Sequence, residues 1–279
     1  MKTIQALSIS RSVRARLERP PFKARVLAVF DRACDLVTTE GDVIALVTPD
    51  IGDGPLNIVA NTQPGDFETF ARDTAATLQR ANLQIGNVRV DLREAAVWEP
   101  CPGWNTLRDH SDIIASRLPT LREIAVCRVP AASCAVGADF AAALCGRPRG
   151  SPLPAGWNGD LAQLRQGATQ LAGLGNGLTP AGDDFLCGVM LWTWLAHPTP
   201  SEFCRVVVEV AAPRTTTLSA AFLRSAAKGE CSAAWHRLLN ALASGPHDEL
   251  DAATVEVLAH GATSGADTLA GFLALSSGE

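Results

Sequence analysis

The sequence predicts an α+β protein in which a β-rich N-terminal half, a small barrel or sandwich with one or two helices, precedes an all-helical C-terminal half. Three observations support this fold class. Stretches of β-forming residues with partial alternation fill most of the first half, apolar residues recur at helical spacing through the second, and a Gly- and Pro-rich stretch at 146–156 separates them. Strands followed by helices are typical of α+β folds. We therefore expect a β-rich domain at 1–147 and a helical domain at 148–279 that carries the Gly, Thr and Asp motifs.

The elements of the first half are predicted from short patterns. A hairpin is expected at 35–39 and 43–48, because Glu40, Gly41 and Asp42 form a turn between two β-rich stretches. Further strands are predicted at 4–9, 25–30, 55–60, 83–91 and 123–129. Two helices are predicted among the strands, one at 66–81 from the helical spacing of its apolar residues and one capped by Asn105 that runs through Leu118.

The second half is predicted to be helical almost throughout. A stripe of Leu161, Leu164, Ala168 and Leu171 predicts a helix that ends at Gly173. Further helices are expected at roughly 185–196, 202–211, 218–228, 232–243, 249–260 and 266–275. The helix at 185–196 is apolar nearly all round, which is typical of a helix at the centre of a bundle.

Composition excludes several classes of protein. The chain of 279 residues has 47% hydrophobic and 19% charged residues, so it is not a disordered chain. A net charge of -5 argues against a nucleic-acid partner. The longest apolar candidate, 185–196, is shorter than the roughly 18 residues of a membrane span, and residues 1–20 lack a signal-peptide core. These two observations predict no membrane partner. The eight cysteines form no CxxC pair, so we expect buried thiols in a reducing cytoplasm.

The segment 173–188, GLGNGLTPAGDDFLCG, is the most unusual in the chain. Its first three glycines allow a tight loop whose backbone N–H groups can approach a ligand. Thr179 is then expected to cap a helix and Pro180 to occupy its first position.

Asp183 and Asp184 lie in the first turn of that predicted helix and have two possible roles. They could do no more than complement the helix dipole, an interaction worth about 0.3–1 kcal/mol. At the mouth of a buried helix, however, an unpaired carboxylate costs several times more. The position therefore favours a partner for these carboxylates: an Arg, a metal, or a ligand that carries hydrogen-bond donors.

A second segment repeats part of the first. The pattern G-x-D-x-L-x-G occurs at 182–188 and again at 265–271, where Asp267 takes the place of Asp184. A Gly inside a helix costs about 1 kcal/mol relative to Ala, unless something needs its small size. We expect the two helices to cross near Gly188 and Gly271 and to bring their N-termini toward one pocket, the alternative being a chance likeness of short Gly and Asp strings.

The third motif, RTTTLS at 214–219, places an arginine beside hydroxyl groups at a predicted helix start. Guanidinium, hydroxyl and backbone donors together predict a site for a small anion, although an ordinary cap with a solvated Arg214 would have the same sequence. His260 precedes the third glycine motif, where a helix C-terminal cation is a more common role than a catalytic base.

In this order, GLGNGLTPAGDDFLCG, RTTTLS and GATSGADTLAG resemble a bacterial family long left as a domain of unknown function. That family includes a subunit of the oxamate carbamoyltransferase of anaerobic allantoin degradation, a part of purine catabolism. The resemblance is specific over 173–271 and rests before that only on the order of strands. Family members often have His-Ser-Ser-Gly near the third motif, whereas here His260 is displaced by one position from that pattern, so the resemblance gives His260 no role.

The resemblance implies a carbamoyltransferase-type protein, or a subunit of one, that converts oxalurate and phosphate into oxamate and carbamoyl phosphate. Donors from the loop, Arg214 and the hydroxyls would hold the anion, and the aspartates would accept hydrogen bonds from an NH₂ group or bind a divalent cation such as Mg²⁺. The predicted catalytic residues are Asp183, Asp184 and Asp267, and the predicted ligand-binding residues are Gly175, Asn176, Gly177, Thr179, Gly182, Arg214, Thr215, Thr216, Ser219, Ser264 and Gly265.

Two other functions are compatible with the same residues. The chain could be a non-catalytic ligand-binding or assembly subunit of a multi-subunit enzyme, because no nucleophile and base occur at a recognisable spacing. A metal-dependent hydrolase that uses the Asp pair is the weaker alternative, since no His and Asp ligand cluster accompanies the pair.

Overall fold

The computed structural model describes residues 2–19, 22–79, 81–129, 160–197 and 199–276. The chain divides into two compact units, 1–100 and 101–279. Strands fill the first unit and helices the second, which confirms the predicted α+β class. The predicted domain boundary at residue 147 lies outside the described residues.

The first unit is a closed barrel of eight strands. Its elements are β1 (Lys2–Ser10), α1 (Arg11–Leu17), β2 (Lys23–Val29), β3 (Ala33–Thr38), β4 (Val43–Val47), β5 (Asn57–Ala60), β6 (Ala75–Gln79), β7 (Asn82–Ile85), β8 (Val88–Asp91) and β9 (Ala96–Trp98). The strands are hydrogen-bonded in the order β5-β4-β3-β2-β6-β7-β8-β1, and β1 also pairs with β5 and closes the ring. The short β9 adds to β1 in parallel. Closure leaves no open sheet edge among these eight strands, which removes a surface prone to aggregation.

Side chains alternate between the two faces of each strand, and one face lines the interior of the barrel. Successive strands place every second residue in one apolar core, so that Leu36, Leu46, Ile58 and Leu83 are fully buried. The predicted hairpin at 35–48 is confirmed as the antiparallel pair β3 and β4. The predicted strand at 83–91 is instead two antiparallel strands, β7 and β8, because the chain reverses between them at Gly86, where φ is +55°.

The prediction of a helix at 66–81 was wrong. Only Asp66–Thr69 forms a short 3₁₀ turn, and Ala75–Gln79 is strand β6, which pairs with β2 and β7. Asp73 has a φ of +65°, which no α-helix tolerates, and ladder hydrogen bonds to two neighbours outweigh the helical spacing of the apolar residues. Phe67 and Phe70 are nevertheless buried in the barrel core.

The second unit is a bundle of helices. They are α2 (Trp104–Asp109), α3 (Ser111–Arg128), α4 (Leu161–Leu171), α5 (Ala181–Ala196), α6 (Pro200–Ala211), α7 (Thr217–Ala227), α8 (Ala233–Ser244), α9 (His247–Leu258) and α10 (Ser264–Ala274). Helix α3 replaces the strand predicted at 123–129, because Leu118, Leu121, Ile124 and Ala125 are buried at helical spacing. Asn105 does not cap α2, which begins after Gly103. In the described ranges no helix has the length and apolar character needed to cross a membrane.

Helix α5 lies at the centre of this bundle and packs most closely against α10. A Cβ atom added at Gly188 would overlap the Thr268 carbonyl oxygen and lie 2.7 Å from the Phe272 nitrogen. A Cβ atom added at Gly271 would overlap the Phe185 carbonyl oxygen. The expected crossing of the two helices near Gly188 and Gly271 is therefore confirmed, and it brings the helices into backbone contact.

We predict that Gly188→Ala and Gly271→Ala each lower the free energy of unfolding by about 2–4 kcal/mol, because a methyl group would push two backbones apart. The higher helix propensity of Ala offsets only about 1 kcal/mol of this loss. Chemical denaturation of the variants measures the loss.

Gly103→Ala is the matched control, because a Cβ atom there would meet its nearest neighbour, Thr106 Oγ1, at an ordinary 3.7 Å. We expect it to change stability by about 1 kcal/mol or less. Equal stability losses at the three positions would contradict the close crossing.

Candidate functional site

The loop between α4 and α5 takes its shape from glycines. Gly173, Gly175 and Gly177 have φ values of +70°, +124° and +94°, a region that other residues rarely adopt. A Cβ atom at Gly173 would lie 2.7 Å from the Arg214 carbonyl oxygen, so the loop packs directly against the segment before α7. Residues 174–178 are exposed, and among the described residues no acceptor bonds to the N–H groups of 175–177. These donors are available to a ligand or to water.

Thr179 does not cap the helix that follows, contrary to the prediction. Helix α5 begins at Ala181, its N-cap residue is Pro180, and no side chain bonds to its first N–H groups. The Thr179 hydroxyl instead forms a hydrogen bond of 3.0 Å with the Ser264 hydroxyl at the start of α10. The Thr179 side chain therefore joins two helix starts that are far apart in the sequence.

Asp183 is completely buried and its two carboxylate oxygens accept hydrogen bonds from three protein donors. Oδ1 accepts from the Gly173 N–H at 2.9 Å, and Oδ2 accepts from the hydroxyls of Thr215 and, at 2.8 Å, of Ser219. Charge-assisted bonds of this kind are among the stronger ones in proteins. Asp183 thus joins the glycine loop to the start of α7. Two hydroxyls of the third motif, those of Thr215 and Ser219, are donors to Asp183 rather than free donors for a ligand.

Thr216 and Arg214 of the third motif also bond to the segments around the start of α7. Thr216 caps α7 by accepting the Ser219 N–H at 3.0 Å, and its hydroxyl donates to the Leu178 carbonyl of the glycine loop. Arg214 is exposed and donates one N–H to the Val210 carbonyl at 2.6 Å, so it caps the end of α6. The Arg214 guanidinium keeps further N–H groups that this bond does not use.

The repeated motif corresponds to a repeated packing arrangement. A Cβ atom at Gly182 would overlap the Leu171 carbonyl at the end of α4, and a Cβ atom at Gly265 would overlap the Val257 carbonyl near the end of α9. The pairs α4–α5 and α9–α10 are therefore built alike, and their second helices cross at Gly188 and Gly271. Asp184 and Asp267 occupy the same place in the two pairs, each two residues after the glycine that contacts the preceding helix.

Asp184 and Asp267 differ from Asp183 in having unused hydrogen-bonding capacity. Each is only 6% exposed, yet Oδ2 of each is buried without a hydrogen-bond partner. Burial raises the pKa of Asp184 to about 8; the Ser264 and Thr179 hydroxyls lower this pKa, while the charges of Asp267 and Asp183 raise it further. Burial also raises the pKa of Asp267, against the lowering effect of the Thr263 hydroxyl. These two carboxyls are the groups of the site that most need a partner.

The remaining candidate residues have structural contacts in the fold. Gly182 and Gly265 contact helix ends rather than a ligand-accessible surface. His260 is exposed, and its carbonyl accepts the Gly265 N–H at 3.0 Å, so its main chain supports the start of α10. Within the described parts of the chain no three His, Cys, Asp or Glu side chains come together in a way that could hold a metal ion. Thr263, whose hydroxyl bonds to Asp267, was not among the predicted site residues.

Comparison with known proteins gives two family matches. The model described as oxamate carbamoyltransferase subunit AllH matches residues 171–276, and the model of the AllH family N-terminal domain matches residues 5–97. Together the two models cover most of the chain and include every motif described above. No curated protein and no solved structure matches the chain.

We predict that Asp183→Ala lowers the free energy of unfolding by about 3 kcal/mol or more, because the Gly173 N–H and two hydroxyls would lose their acceptor in a buried place. Thermal or chemical denaturation measures the loss. Asp248→Ala is the control: Asp248 also lies in the first turn of a helix, α9, but is exposed. We expect that variant to lose about 1 kcal/mol or less. Losses of the same size in both variants would contradict the joining role of Asp183.

A second prediction concerns the dependence of stability on pH. Because the pKa of Asp184 is about 8 in the folded state and about 3.9 in an unfolded chain, the folded state binds more protons between these values. The contribution of Asp184 to stability therefore falls as pH rises from about 4 to 8. Asp184→Asn removes the titrating group and with it this pH dependence. From pH 4 to pH 8 the free energy of unfolding of the variant should therefore rise by on the order of 3 kcal/mol relative to that of the wild type. Denaturation at pH 5 and pH 8 tests it; an unchanged difference between the two proteins would contradict it.

Proposed function

The chain belongs to the AllH family of oxamate carbamoyltransferase subunits, and on this premise we propose that its helical unit holds a small anionic substrate of that enzyme. The reaction converts oxalurate and phosphate into oxamate and carbamoyl phosphate. The C–N bond to the carbamoyl carbon breaks and a C–O bond to phosphate forms. Such a transfer needs mainly positioning and the stabilisation of charge on oxygen atoms.

The observation that carries this proposal is the set of unused donors beside unused acceptors at the paired starts of α5 and α10. The N–H groups of the 175–177 loop have no protein acceptor among the described residues, and the positive end of the α5 dipole lies next to them. Arg214 adds a guanidinium at the segment that packs on Gly173. We propose that these donors hold the anionic end of the substrate.

The nearby aspartates would repel an anion if all of them were charged, and the hydrogen bonding reduces this conflict. The charge of Asp183 is offset by three protein donors, and it faces the interior rather than a ligand. Asp184 holds its proton near neutral pH, because its pKa is raised to about 8. Burial raises the pKa of Asp267 as well, which further reduces the negative charge beside the anion. The proposal assigns these carboxyls to hydrogen bonding and uses no metal.

A second candidate is a subunit that binds substrate without carrying out the transfer. The described residues of the site offer carboxyls and hydroxyls, most of which already bond to one another, and no nucleophile paired with a base. Leu174 and Leu178 are 42% and 41% exposed on the glycine loop, an apolar surface that another subunit could cover. Activity of the chain alone would distinguish transfer by this chain from binding without transfer.

We predict that phosphate, carbamoyl phosphate, oxamate or oxalurate raises the melting temperature of the full chain, because a ligand that binds only the folded state stabilises it. Arg214→Ala should weaken binding by about tenfold or more, the usual effect of losing a charged hydrogen bond. Calorimetric titration measures the affinity.

Arg237→Ala is the control for that change. Arg237 is an exposed residue of the same unit and pairs with Glu256 on α9. The affinity of the Arg237→Ala variant for these ligands should equal that of the wild type. No stabilisation by any of the four ligands at millimolar concentration would overturn the proposed binding function.

A further inference from the structure

The glycine loop between α4 and α5 is held to the helical unit near its two ends. At its first end Gly173 donates its N–H to Asp183 at 2.9 Å, and the Leu174 carbonyl accepts the Gly182 N–H at 2.9 Å. Residues 174–178 between the ends are exposed and include two glycines with positive φ values. Because glycine adopts many backbone conformations, the position of the N–H donors in this stretch depends on how firmly both ends are held.

Two helix starts hold the second end of the loop. The Thr216 hydroxyl, at the start of α7, donates to the Leu178 carbonyl. The Thr179 hydroxyl forms its 3.0 Å bond with the Ser264 hydroxyl at the start of α10. Ser264 is a firmly placed partner, because its neighbour Gly265 lies directly against the backbone of α9. The loop is thereby tied to a helix whose first residue lies 85 positions further along the chain.

The hydroxyls of Thr179 and Ser264 have no proton left for an anion. Each hydroxyl carries one proton. One of the two protons forms the bond between them, and the other is directed at the Asp184 carboxyl, to which both hydroxyls bond. Both side chains are half-buried, whereas the exposed residues 175–177 offer N–H groups that have no acceptor among the described residues. An anion at the loop is therefore matched to these backbone donors and not to the two hydroxyls.

We propose that Thr179 and Ser264 are positioning residues of the anion site: the bond between their hydroxyls is a latch that holds the glycine loop where its N–H groups bind the anion. The inference rests on the proposed function, which places the anion at those N–H groups. It changes the predicted role of both residues from ligand contacts to supports of the loop. It also makes the affinity for the anion depend on the position of α10, a helix outside the loop.

The latch predicts that the two hydroxyls depend on each other. Calorimetric titration of the full chain with inorganic phosphate should show an affinity about fivefold weaker in Ser264→Ala and in Thr179→Val, the effect of losing one neutral hydrogen bond. The double variant should also be about fivefold weaker, because either single change already breaks the bond. Two hydroxyls that each contacted the anion would instead give additive free energies and a loss of about 25-fold, which would overturn the latch.

Two further variants separate the loss of this bond from the loss of any hydroxyl. Thr179→Ser keeps the hydroxyl and should bind phosphate within about twofold of the wild type. Thr169→Val is the matched control, because the exposed Thr169 hydroxyl bonds only locally to the Arg165 carbonyl of α4, at 2.7 Å. Its affinity for phosphate should match that of the wild type. A loss in Thr169→Val as large as that in Thr179→Val would contradict the latch. Melting curves show whether each variant is folded.

A measurement without ligand separates the latch from the function on which it rests. NMR order parameters of the 175–177 amides should be about 0.85 in the wild type and in Thr179→Ser, and should fall below about 0.6 in Ser264→Ala. Unchanged order parameters in Ser264→Ala would overturn the latch and leave the anion site intact. If the wild-type loop is ordered but phosphate and the other three ligands do not bind, the proposed function fails, and the positioning role fails with it.

Discussion

The crossing of α5 and α10 depends on two backbones being able to touch, since Gly188 lies against the Thr268 carbonyl and Gly271 lies against the Phe185 carbonyl. Any side chain at either position would separate the helices. Because both helices start two turns earlier, the same contact fixes the distance between their N-termini. It thereby allows Thr179 to bond to Ser264 and buries Asp184 and Asp267 beside one another. The glycines that cost helix stability are what hold the site in place.

Two adjacent aspartates have opposite roles at this site because they face different surroundings. Asp183 points toward the glycine loop and α7, where three donors offset the cost of burying its charge. Asp184 faces α10, where the hydroxyls of Thr179 and Ser264 bond to it and the Asp267 carboxyl lies nearby. Its Oδ2 has no hydrogen-bond partner. A satisfied carboxylate stabilises the fold, whereas an unsatisfied one costs free energy that a ligand can recover. The proposed function uses that difference, because the satisfied Asp183 and the protonated Asp184 leave less negative charge to repel an anion.

The sequence analysis predicted the features that depend on local pattern. The α+β class, the hairpin of β3 and β4, most helices of the second unit and the crossing at Gly188 and Gly271 all follow from spacing and residue size. The helix expected at 66–81 failed because β6 obtains its hydrogen bonds from β2 and β7, strands that no local window contains. For the same reason the roles of Asp183 and Asp184 could not be told apart. The partners of Asp183 lie at 173, 215 and 219, and only the folded chain brings them together. The site assignments themselves stay predictions.

The central claim is that the glycine crossing buries an aspartate that keeps its proton at neutral pH. Carbon-13 NMR of the aspartate carboxyl carbons measures this most directly, by titrating the full chain and assigning Asp184 through the loss of its signal in Asp184→Asn. The account predicts that Asp184 titrates near pH 8. A titration of Asp184 near the ordinary value of about 3.9 would contradict it.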